Sequence, residues 1–174
     1  AGWYGSVVFD ETERYELWGI GGSYKGAMGQ GSAQDTSATH DYDSPTQIPG
    51  TNWTGLNAAS GYSGDRIAHF TKSDGTLWSW GYNDYGAVGN NQGEINYIPG
   101  QSSARTSMSS PVQIGPDTNW SFASSGQTAL ATKTDGTLWA WGYSFYGSMG
   151  NNIGKSLQED SSNLIIKEIF SLSQ

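Results

Sequence analysis

The chain has 174 residues, enough for one ordinary domain, and it carries eight tryptophans and no cysteine, which excludes disulfides and thiolate metal sites. Only 14% of the residues are charged and the formal net charge is −8, with the eight basic residues scattered along the chain. Neither a nucleic-acid-binding face nor a disordered polymer is therefore expected, and no segment is long or apolar enough to span a membrane.

The first clear element in chain order is a Leu-Trp pair at residues 17–18, followed by a Gly-Ala-Met-Gly turn at 26–29. Leu-Trp pairs return at 77–78 and 138–139, so the spacing is about 60 residues each time. The two later copies continue with nearly the same residues as far as an Asn-Asn pair. A fixed long period of this kind indicates an array of structural repeats.

Other landmarks recur in the same order between the Leu-Trp pairs. Asp-Gly-Thr precedes the second and third pairs, Ser-Pro-x-Gln-Ile occurs at 44–48 and 110–114, and Asn-Trp follows at 52–53 and 119–120. A small residue and a glycine then begin the next copy. The predicted repeat units are 1–59, 60–124 and 125–174.

Each unit is predicted to contain four short strands cut by turns. Thr128–Lys133 is strand-like, Asp-Gly at 135–136 is a hairpin turn because both residues tolerate positive φ, and 137–141 is the return strand. The third and fourth strands are expected at 111–114 and 120–123. Both faces of the return strand are apolar, which indicates a sheet covered on both sides. The pattern predicts an all-β fold of β-propeller blades with four short antiparallel strands each, three blades per chain.

These landmarks resemble the regulator of chromosome condensation repeat family, in versions similar to those of bacterial and phage proteins. The motifs that carry the resemblance are Asp-Gly, Leu-Trp-x-Trp-Gly, the glycine-spaced turn and Ser-Pro-Val-Gln-Ile. The resemblance implies a β-propeller, usually of seven blades. Three units cannot close a ring, since propellers need about four to eight blades. The incomplete ring is expected to be completed by other chains or by missing sequence.

The tryptophans occupy equivalent positions in successive units. This recurrence favours packing between blades over the alternative of an exposed aromatic platform for a ligand. In the last unit, Phe170 is assigned to the position of Trp53 and Trp120. The predicted core tryptophans are Trp18, Trp53, Trp78, Trp80, Trp120, Trp139 and Trp141.

The turns at 81–86 and 142–147 are flanked by glycine and rich in tyrosine. Tyrosine combines an apolar ring with a polar tip, so these turns suit contact with a protein partner or a glycan; local packing over the blade end is the alternative. The candidate rim consists of Tyr82, Asn83, Asp84, Tyr85, Tyr143, Phe145 and Tyr146.

No catalytic residue, metal site or cofactor is predicted. With two histidines and no cysteine, no catalytic triad or nucleophile elbow can be assembled. The glycine turns lack the lysine and the following helix of a phosphate-binding loop. His-Asp-Tyr-Asp at 40–43 offers oxygen ligands for a divalent cation, but it lacks the spacing of a calcium loop and is unrepeated, which favours a solvated loop.

The sequence therefore predicts a non-catalytic structural or interaction module. Its acidic, Ser/Thr/Asn-rich composition and its resemblance to phage-borne repeats favour a component of a virion (a decoration, fibre or tail-associated protein) or of a cell-surface assembly. The alternative is a soluble propeller, with the bacterial cytoplasm as another location, that binds a protein or a glycan through the rim. The expected partners are copies of the chain itself, other proteins of a larger assembly or a surface glycan; neither nucleic acid nor membrane insertion is expected.

Overall fold

The computed structural model describes eleven ranges of the chain. These are residues 6–10, 15–23, 26–31, 41–54, 67–83, 86–90, 107–124, 126, 128–143, 150 and 167–170. Their regular structure consists of eleven β-strands in three antiparallel sheets. The predicted all-β fold is confirmed.

The first sheet has the order β1-β2-β3. Its strands are β1 (Ser6–Asp10), β2 (Glu16–Gly22) and β3 (Asp41–Ile48). The second sheet has the order β4-β5-β6-β7. Its strands are β4 (Trp53–Thr54), β5 (Ile67–Lys72), β6 (Leu77–Gly81) and β7 (Met108–Gln113).

The third sheet has the order β11-β10-β9-β8. Its strands are β8 (Trp120–Ser124), β9 (Thr128–Lys133), β10 (Leu138–Gly142) and β11 (Lys167–Phe170). In every sheet the Leu-Trp strand lies in the interior of the sheet, between two antiparallel neighbours. In the second sheet both faces of this strand are buried against the neighbouring sheets, Leu77 on one face and Trp80 on the other.

The fourth strand of a repeat unit joins the sheet of the next unit. Strand β4 pairs with β5 and not with β3, and β8 pairs with β9 and not with β7. The sequence was expected to keep all four strands of a unit in one sheet, and for this strand the expectation is wrong. Because this strand is exchanged, backbone hydrogen bonds connect each unit to the sheet of the next one. The unit boundaries at 59/60 and 124/125 remain a prediction about the sequence repeat.

The assignment of Phe170 is also wrong. Phe170 pairs with Leu138 in the same register in which Ile48 pairs with Leu17. It therefore stands at the position of Ile48, on the third strand, and not at the position of Trp53. The Ser-Pro landmark that marks this strand elsewhere is missing from the last unit, so the sequence offered no marker for its register.

The Asp-Gly-Thr turns explain how the hairpins close. In the second sheet, Oδ1 of Asp74 accepts hydrogen bonds from the backbone N (3.0 Å) and Oγ1 (2.6 Å) of Thr76, and Nε1 of Trp78 donates to Oγ1 of Thr76 at 2.8 Å. The side-chain hydrogen bond from Thr76, followed by the backbone one, holds the pKa of Asp74 below its usual value. Asp135, Thr137 and Trp139 repeat these three bonds in the third sheet.

The first hairpin uses a tyrosine where the others use glycine. Tyr15 has φ of 48°, and Gly75 and Gly136 have φ of 79° and 84°. The carbonyl of Tyr15 accepts a hydrogen bond from the backbone N of Trp53, just as the carbonyl of Gly75 accepts one from Trp120. The same inter-sheet bond is thus made in both places, although a side chain at positive φ is strained.

Two apolar seams hold the three sheets together. The first seam, between the first and second sheets, buries Leu17, Ile48, Trp53, Ala68, Phe70 and Trp80. The second seam, between the second and third sheets, buries Ile67, Leu77, Ala87, Val88, Ile114, Trp120, Ala123, Ala129, Ala131 and Trp141. In each seam the leucine-bearing face of one sheet covers the tryptophan-bearing face of the next. Because a fully buried large side chain contributes about 1.5–3 kcal/mol, the seams are the main source of stability.

Candidate interaction surfaces

The second tryptophan of each Leu-Trp-x-Trp motif is bound to a glycine turn of the preceding sheet. Nε1 of Trp141 donates to the carbonyl of Ala87 at 2.8 Å, and Nε1 of Trp80 donates to the carbonyl of Ala27 at 3.1 Å. Both indoles are fully buried. The repeated Gly-Ala-x-Gly sequence therefore closes the seam between adjacent sheets.

Glycine is required in these turns because the indole lies against the backbone. A Cβ atom on Gly89 would lie 2.7 Å from Nε1 of Trp141, and one on Gly29 would lie 2.8 Å from Nε1 of Trp80. Real Cβ atoms do not approach other heavy atoms that closely. The spacing of glycines in the turn thus follows from the tryptophan of the next sheet.

The first tryptophan of the motif lies under a lysine. Nζ of Lys133 is 4.0 Å from the ring centroid of Trp139 and 4.6 Å from that of Trp120. It also forms a 2.7 Å ion pair with Asp117. A positive charge above an indole face is favourable, by about 0.5–2 kcal/mol depending on desolvation. The side chain of Lys133 therefore covers the ring faces of both Trp139 and Trp120.

The second sheet contains the same arrangement around Lys72. Its Nζ is 4.1 Å from the ring centroid of Trp78 and 4.6 Å from that of Trp53. Burial lowers the pKa of Lys72, and the Asp74 carboxylate opposes this effect. Lysine, Trp and the strand exchanged from the preceding unit thus form one recurring structural element.

The predicted core tryptophans fall into two groups. The buried members are Trp53, Trp80, Trp120 and Trp141, and the partly buried members are Trp18, Trp78 and Trp139. Trp78 and Trp139 pack against the seams at their edge. Six of the seven residues are buried in the seams or pack against them. Trp18 lies in the first sheet, on the face that no described sheet covers.

Asn83, predicted as a rim residue, is buried and holds the turn that follows it through side-chain hydrogen bonds. Its side chain is only 1% exposed. Oδ1 accepts a 3.0 Å hydrogen bond from the backbone N of Val88, and Nδ2 donates to Oδ1 of Asn90 at 3.3 Å. The amide thus fixes the two ends of the turn to each other from a buried position. Its counterpart in the third unit is Ser144, so the repeat carried no signal for this role.

The other rim residues are placed only in part. Tyr82 is half-buried and packs against the second seam, and Tyr143 is half-buried at the end of β10. The remaining candidates, Asp84, Tyr85, Phe145 and Tyr146, lie outside the described residues. The rim therefore remains a prediction, with Asn83 assigned to its base.

His69 is a buried group that sequence reasoning left without a role. It is fully buried in β5, its Nε2 donates to the carbonyl of Ala87 at 3.0 Å, and its ring meets that of Trp141 edge-on with centroids 5.3 Å apart. Burial lowers the pKa of His69 to about 4, against the smaller opposing effect of the bond to Ala87. The equivalent register positions hold Val7 and Leu130, so the neutral imidazole takes the place of an aliphatic side chain in the second seam.

Two further features bear on the chemistry of the described residues. In the part of the chain that the structure describes, no group of three or more His, Cys, Asp or Glu side chains could hold a metal ion. Across the same ranges, no helix has the length and apolar character needed to cross a bilayer.

Comparison with known proteins identifies the repeat. Residues 74–128 match the family model described as "Regulator of chromosome condensation (RCC1) repeat". The resemblance predicted from the sequence is thus confirmed, with the match covering the second hairpin through the start of β9. The bacterial or phage character of the repeat stays a prediction.

Three solved structures share the fold. Prp20p from Saccharomyces cerevisiae matches with a TM-score of 0.65 and 17% identity over 99% of this chain, and human WBSCR16 with 0.60 and 18% over 97%. Yeast RCC1 (Prp20) bound to Kap60 matches with 0.64 and 17% over 99%. The chain spans only 36–37% of the length of these proteins. At such identities the similarity establishes the propeller fold alone.

Proposed function

We propose that this chain, in which a regulator of chromosome condensation repeat is embedded in three propeller sheets, is a non-catalytic protein-interaction module. The observation that carries the proposal is the repeated seam. Side chains that could take part in chemistry, including those of His69, Asn83 and Lys133, form hydrogen bonds or ion pairs that hold sheets and turns in place. Such an array is suited to presenting a surface of fixed shape, because little ordering is needed when a partner binds.

Protein partners are favoured over nucleic acid. Prp20p was described together with its binding to Gsp1p and histones, and yeast RCC1 (Prp20) was solved bound to Kap60. Those partners belong to those proteins, but they support a protein ligand for the same fold here. The formal charge of −8 adds to this, since it disfavours phosphate backbones and favours a basic protein surface.

The contact surface of the proposed module is the tyrosine rim. The described residues that flank Asp84 and Tyr85 in the sequence are held in place, Asn83 by its hydrogen bond to Val88 and Ala87 by the hydrogen bond from Trp141. Tyrosine supplies amphipathic contact area at a low cost in conformational entropy, because its side chain has only two rotatable angles. A place in a virion or cell-surface assembly is the corresponding proposal for its location; co-purification with assembled particles or envelopes tests it.

The rim is tested with a double variant and a matched control. Tyr85→Ser with Tyr146→Ser removes two rim tyrosines, and Tyr15→Ser removes a tyrosine that is 47% exposed on the first hairpin. Partners are identified by cross-linking and mass spectrometry in the source organism, with a glycan array in parallel. We expect the double variant to lose its cross-linked protein and the control to keep it. Unchanged cross-links in the double variant refute the rim, and glycan binding without a protein partner favours a lectin-like module.

A further inference from the structure

The ammonium group of Lys72 is held in the same way as that of Lys133, but without a carboxylate. Nζ of Lys72 lies 4.1 Å from the ring centroid of Trp78 and 4.6 Å from that of Trp53. In the third sheet the corresponding distances from Nζ of Lys133 are 4.0 and 4.6 Å. Lys133 also forms the 2.7 Å ion pair with Asp117, whereas Lys72 forms no ion pair with any of the described residues.

The difference comes from the loop that precedes each exchanged strand. Five residues, Gly-Pro-Asp-Thr-Asn, join Ile114 to Trp120, and Asp117 is the third of them. The loop between Ile48 and Trp53 has four residues, Pro-Gly-Thr-Asn, and contains no acidic residue. The second sheet therefore repeats the lysine and the two indoles of the third sheet without the carboxylate of the loop.

The surface beside Lys72 is accessible. Lys72 is half-buried, whereas Lys133 is only 8% exposed under Asp117, and residues 49–52 of the shorter loop are exposed. A Cβ atom on Gly50 would lie 3.2 Å from Nζ of Lys72, and the φ of Gly50 is 109°. The loop thus approaches the ammonium with a residue that has no side chain, which leaves room for a group from another molecule.

The positive charge of Lys72 is incompletely compensated within the described residues. Burial lowers the pKa of Lys72, and the carboxylate of Asp74 opposes this effect only in part. Oδ1 of Asp74 also accepts both hydrogen bonds from Thr76. A carboxylate placed against the ammonium would form a charge-assisted hydrogen bond, as Asp117 does in the third sheet. Because two indoles already fix the ammonium, little further ordering of the lysine is needed.

We propose that Lys72, flanked by Trp53 and Trp78, forms a binding site for a carboxylate supplied by another molecule, an Asp or Glu side chain of a protein partner. The third sheet contains the same site with a carboxylate in place, that of Asp117. A protein is the source rather than a free small acid, because a single ion pair contributes too little affinity by itself. On a chain with a formal charge of −8, Lys72 selects an acidic group at one point of a larger contact.

The test is a titration of the purified chain, followed by NMR of isotope-labelled lysine side chains. The ring currents of two indoles displace the signals of Lys72 and Lys133 from those of the other lysines, and Lys72→Met and Lys133→Met assign them. The probe is the α-amide of N-acetylaspartate, and its uncharged match is the α-amide of N-acetylasparagine, both at constant ionic strength.

We expect the Lys72 signal to move saturably with the aspartate probe. The asparagine probe should bind about tenfold more weakly or worse, the factor that corresponds to the loss of a charge-assisted hydrogen bond. The Lys133 signal should stay in place, because Asp117 occupies its ammonium.

Two variants should exchange the behaviour of the two lysines. Asp117→Ala removes the carboxylate from the third sheet and should make the Lys133 signal respond to the aspartate probe. Replacing residues 49–52 with the five-residue sequence of 115–119 should place a carboxylate beside Lys72 and abolish its response. Near-ultraviolet circular dichroism shows whether the grafted chain folds, and Asp117→Ala, which keeps both loop lengths, tests the site if it does not.

The source of the carboxylate is tested by carbodiimide cross-linking, which joins an amine to a carboxylate in contact with it. In extracts of the source organism we expect an amide between Lys72 and an Asp or Glu of another protein, lost in the chain with the grafted loop. Absence of this link overturns the protein source, and micromolar binding of the aspartate probe alone would then assign a free small acid.

Two further results would overturn the inference. One is a Lys72 signal that ignores the aspartate probe or responds equally to both probes. The other is a response that appears only after Glu11→Gln with Glu13→Gln, because the carboxylate partner would then belong to the same chain.

The inference goes beyond the proposed function and can fail separately from it. Lys72 lies at the hairpin that begins β6, and Tyr82 of the rim follows the end of that strand at Gly81. The carboxylate site and the tyrosine rim are thus at opposite ends of the second sheet. A silent Lys72 would leave the rim standing, and loss of the rim partner would leave the titration of Lys72 unchanged.

Discussion

Replacing Gly89 with alanine tests whether the glycine turns hold the sheets together. The residue has φ of 81°, and a Cβ atom there would lie 2.7 Å from Nε1 and 3.1 Å from Cδ1 of Trp141. The indole must therefore move away and loosen its 2.8 Å hydrogen bond to Ala87. We expect a large loss of stability, because the turn and the third sheet are damaged together.

The magnitude follows from three contributions. A side chain in the left-handed region costs about 1–2 kcal/mol. Forcing extra volume into a packed seam costs about 1–3 kcal/mol. Weakening the indole hydrogen bond costs about 0.5–1.5 kcal/mol. Gly89→Ala should thus lower the free energy of unfolding by about 3–5 kcal/mol, most of it from the seam.

Gly115→Ala is the matched control. Gly115 also has positive φ, at 62°, but beyond its two chain neighbours no heavy atom of the described residues lies within 4 Å of the position of a new Cβ. Gly115→Ala is therefore destabilised by the positive φ alone and not by a clash in a seam. Both alanine variants also make the unfolded chain less flexible, and this gain cancels when their stabilities are compared. The expected difference between the variants is about 2–4 kcal/mol.

Urea denaturation followed by tryptophan fluorescence measures the difference directly. The midpoint should shift far more for Gly89→Ala than for Gly115→Ala, and the slope should be similar if both unfold the same surface. Gly29→Ala, where a Cβ would lie 2.8 Å from Nε1 of Trp80, should repeat the effect in the first seam. Equal stability of the Gly89→Ala and Gly115→Ala variants would refute the role of the seam.

Three further predictions concern other features of the seams and hairpins. His69 has a pKa of about 4 in the folded chain and near 6.5 when unfolded, so stability should fall as the pH drops from 6.5 to 4, by about 3 kcal/mol at most, in urea titrations at several pH values. Tyr15→Gly should raise the thermal midpoint, gaining about 1 kcal/mol, because it removes a side chain from φ of 48°. Lys133→Met should cost about 1–3 kcal/mol in urea denaturation, since the ammonium lies over two indoles and against Asp117.

Each of these predictions has its own control. His69→Leu, which copies the residue of the third unit, should abolish the extra loss in acid; an identical pH dependence in this variant would exclude His69 as its source. Tyr15→Ala retains the positive φ and should bring less gain than glycine, so equal gains would contradict the backbone explanation. Asp117→Asn should cost less than about 1 kcal/mol because Asp117 is 47% exposed; a larger loss than that of Lys133→Met would assign the stability to the ion pair.

Much of the fold could be read from local patterns. The Leu-Trp period predicted the repeat, and the Asp-Gly pairs predicted hairpins because these residues accept positive φ. Strand alternation predicted that both faces of the Leu-Trp strands are apolar, and the structure covers Leu77 and Trp80 on opposite faces. Each of these features depends on the few residues that make it, so it is visible in the order of amino acids.

The roles of single side chains were harder to predict. Asn83 looked like a rim residue because it lies between aromatic residues, yet its amide closes the turn to Val88 and Asn90. His69 had no role assigned from the sequence, yet it meets Ala87 and Trp141 in the second seam. Both roles are set by groups that reach the residue only after the chain has folded back on itself.

By itself, the amino-acid sequence determined the repeat, the strands and the hairpin turns, since these arise from alternation and from the φ that each residue tolerates. Only the tertiary structure decided that Trp53 and Trp120 lie on strands exchanged into the next sheet, and that Phe170 takes the place of Ile48. The backbone N–H and C=O groups of an edge strand can pair with either of two neighbouring sheets. The choice therefore depends on which sheet buries the tryptophan of that strand. The covering of one sheet by the next is therefore what turned a repeated sequence into an interlocked array.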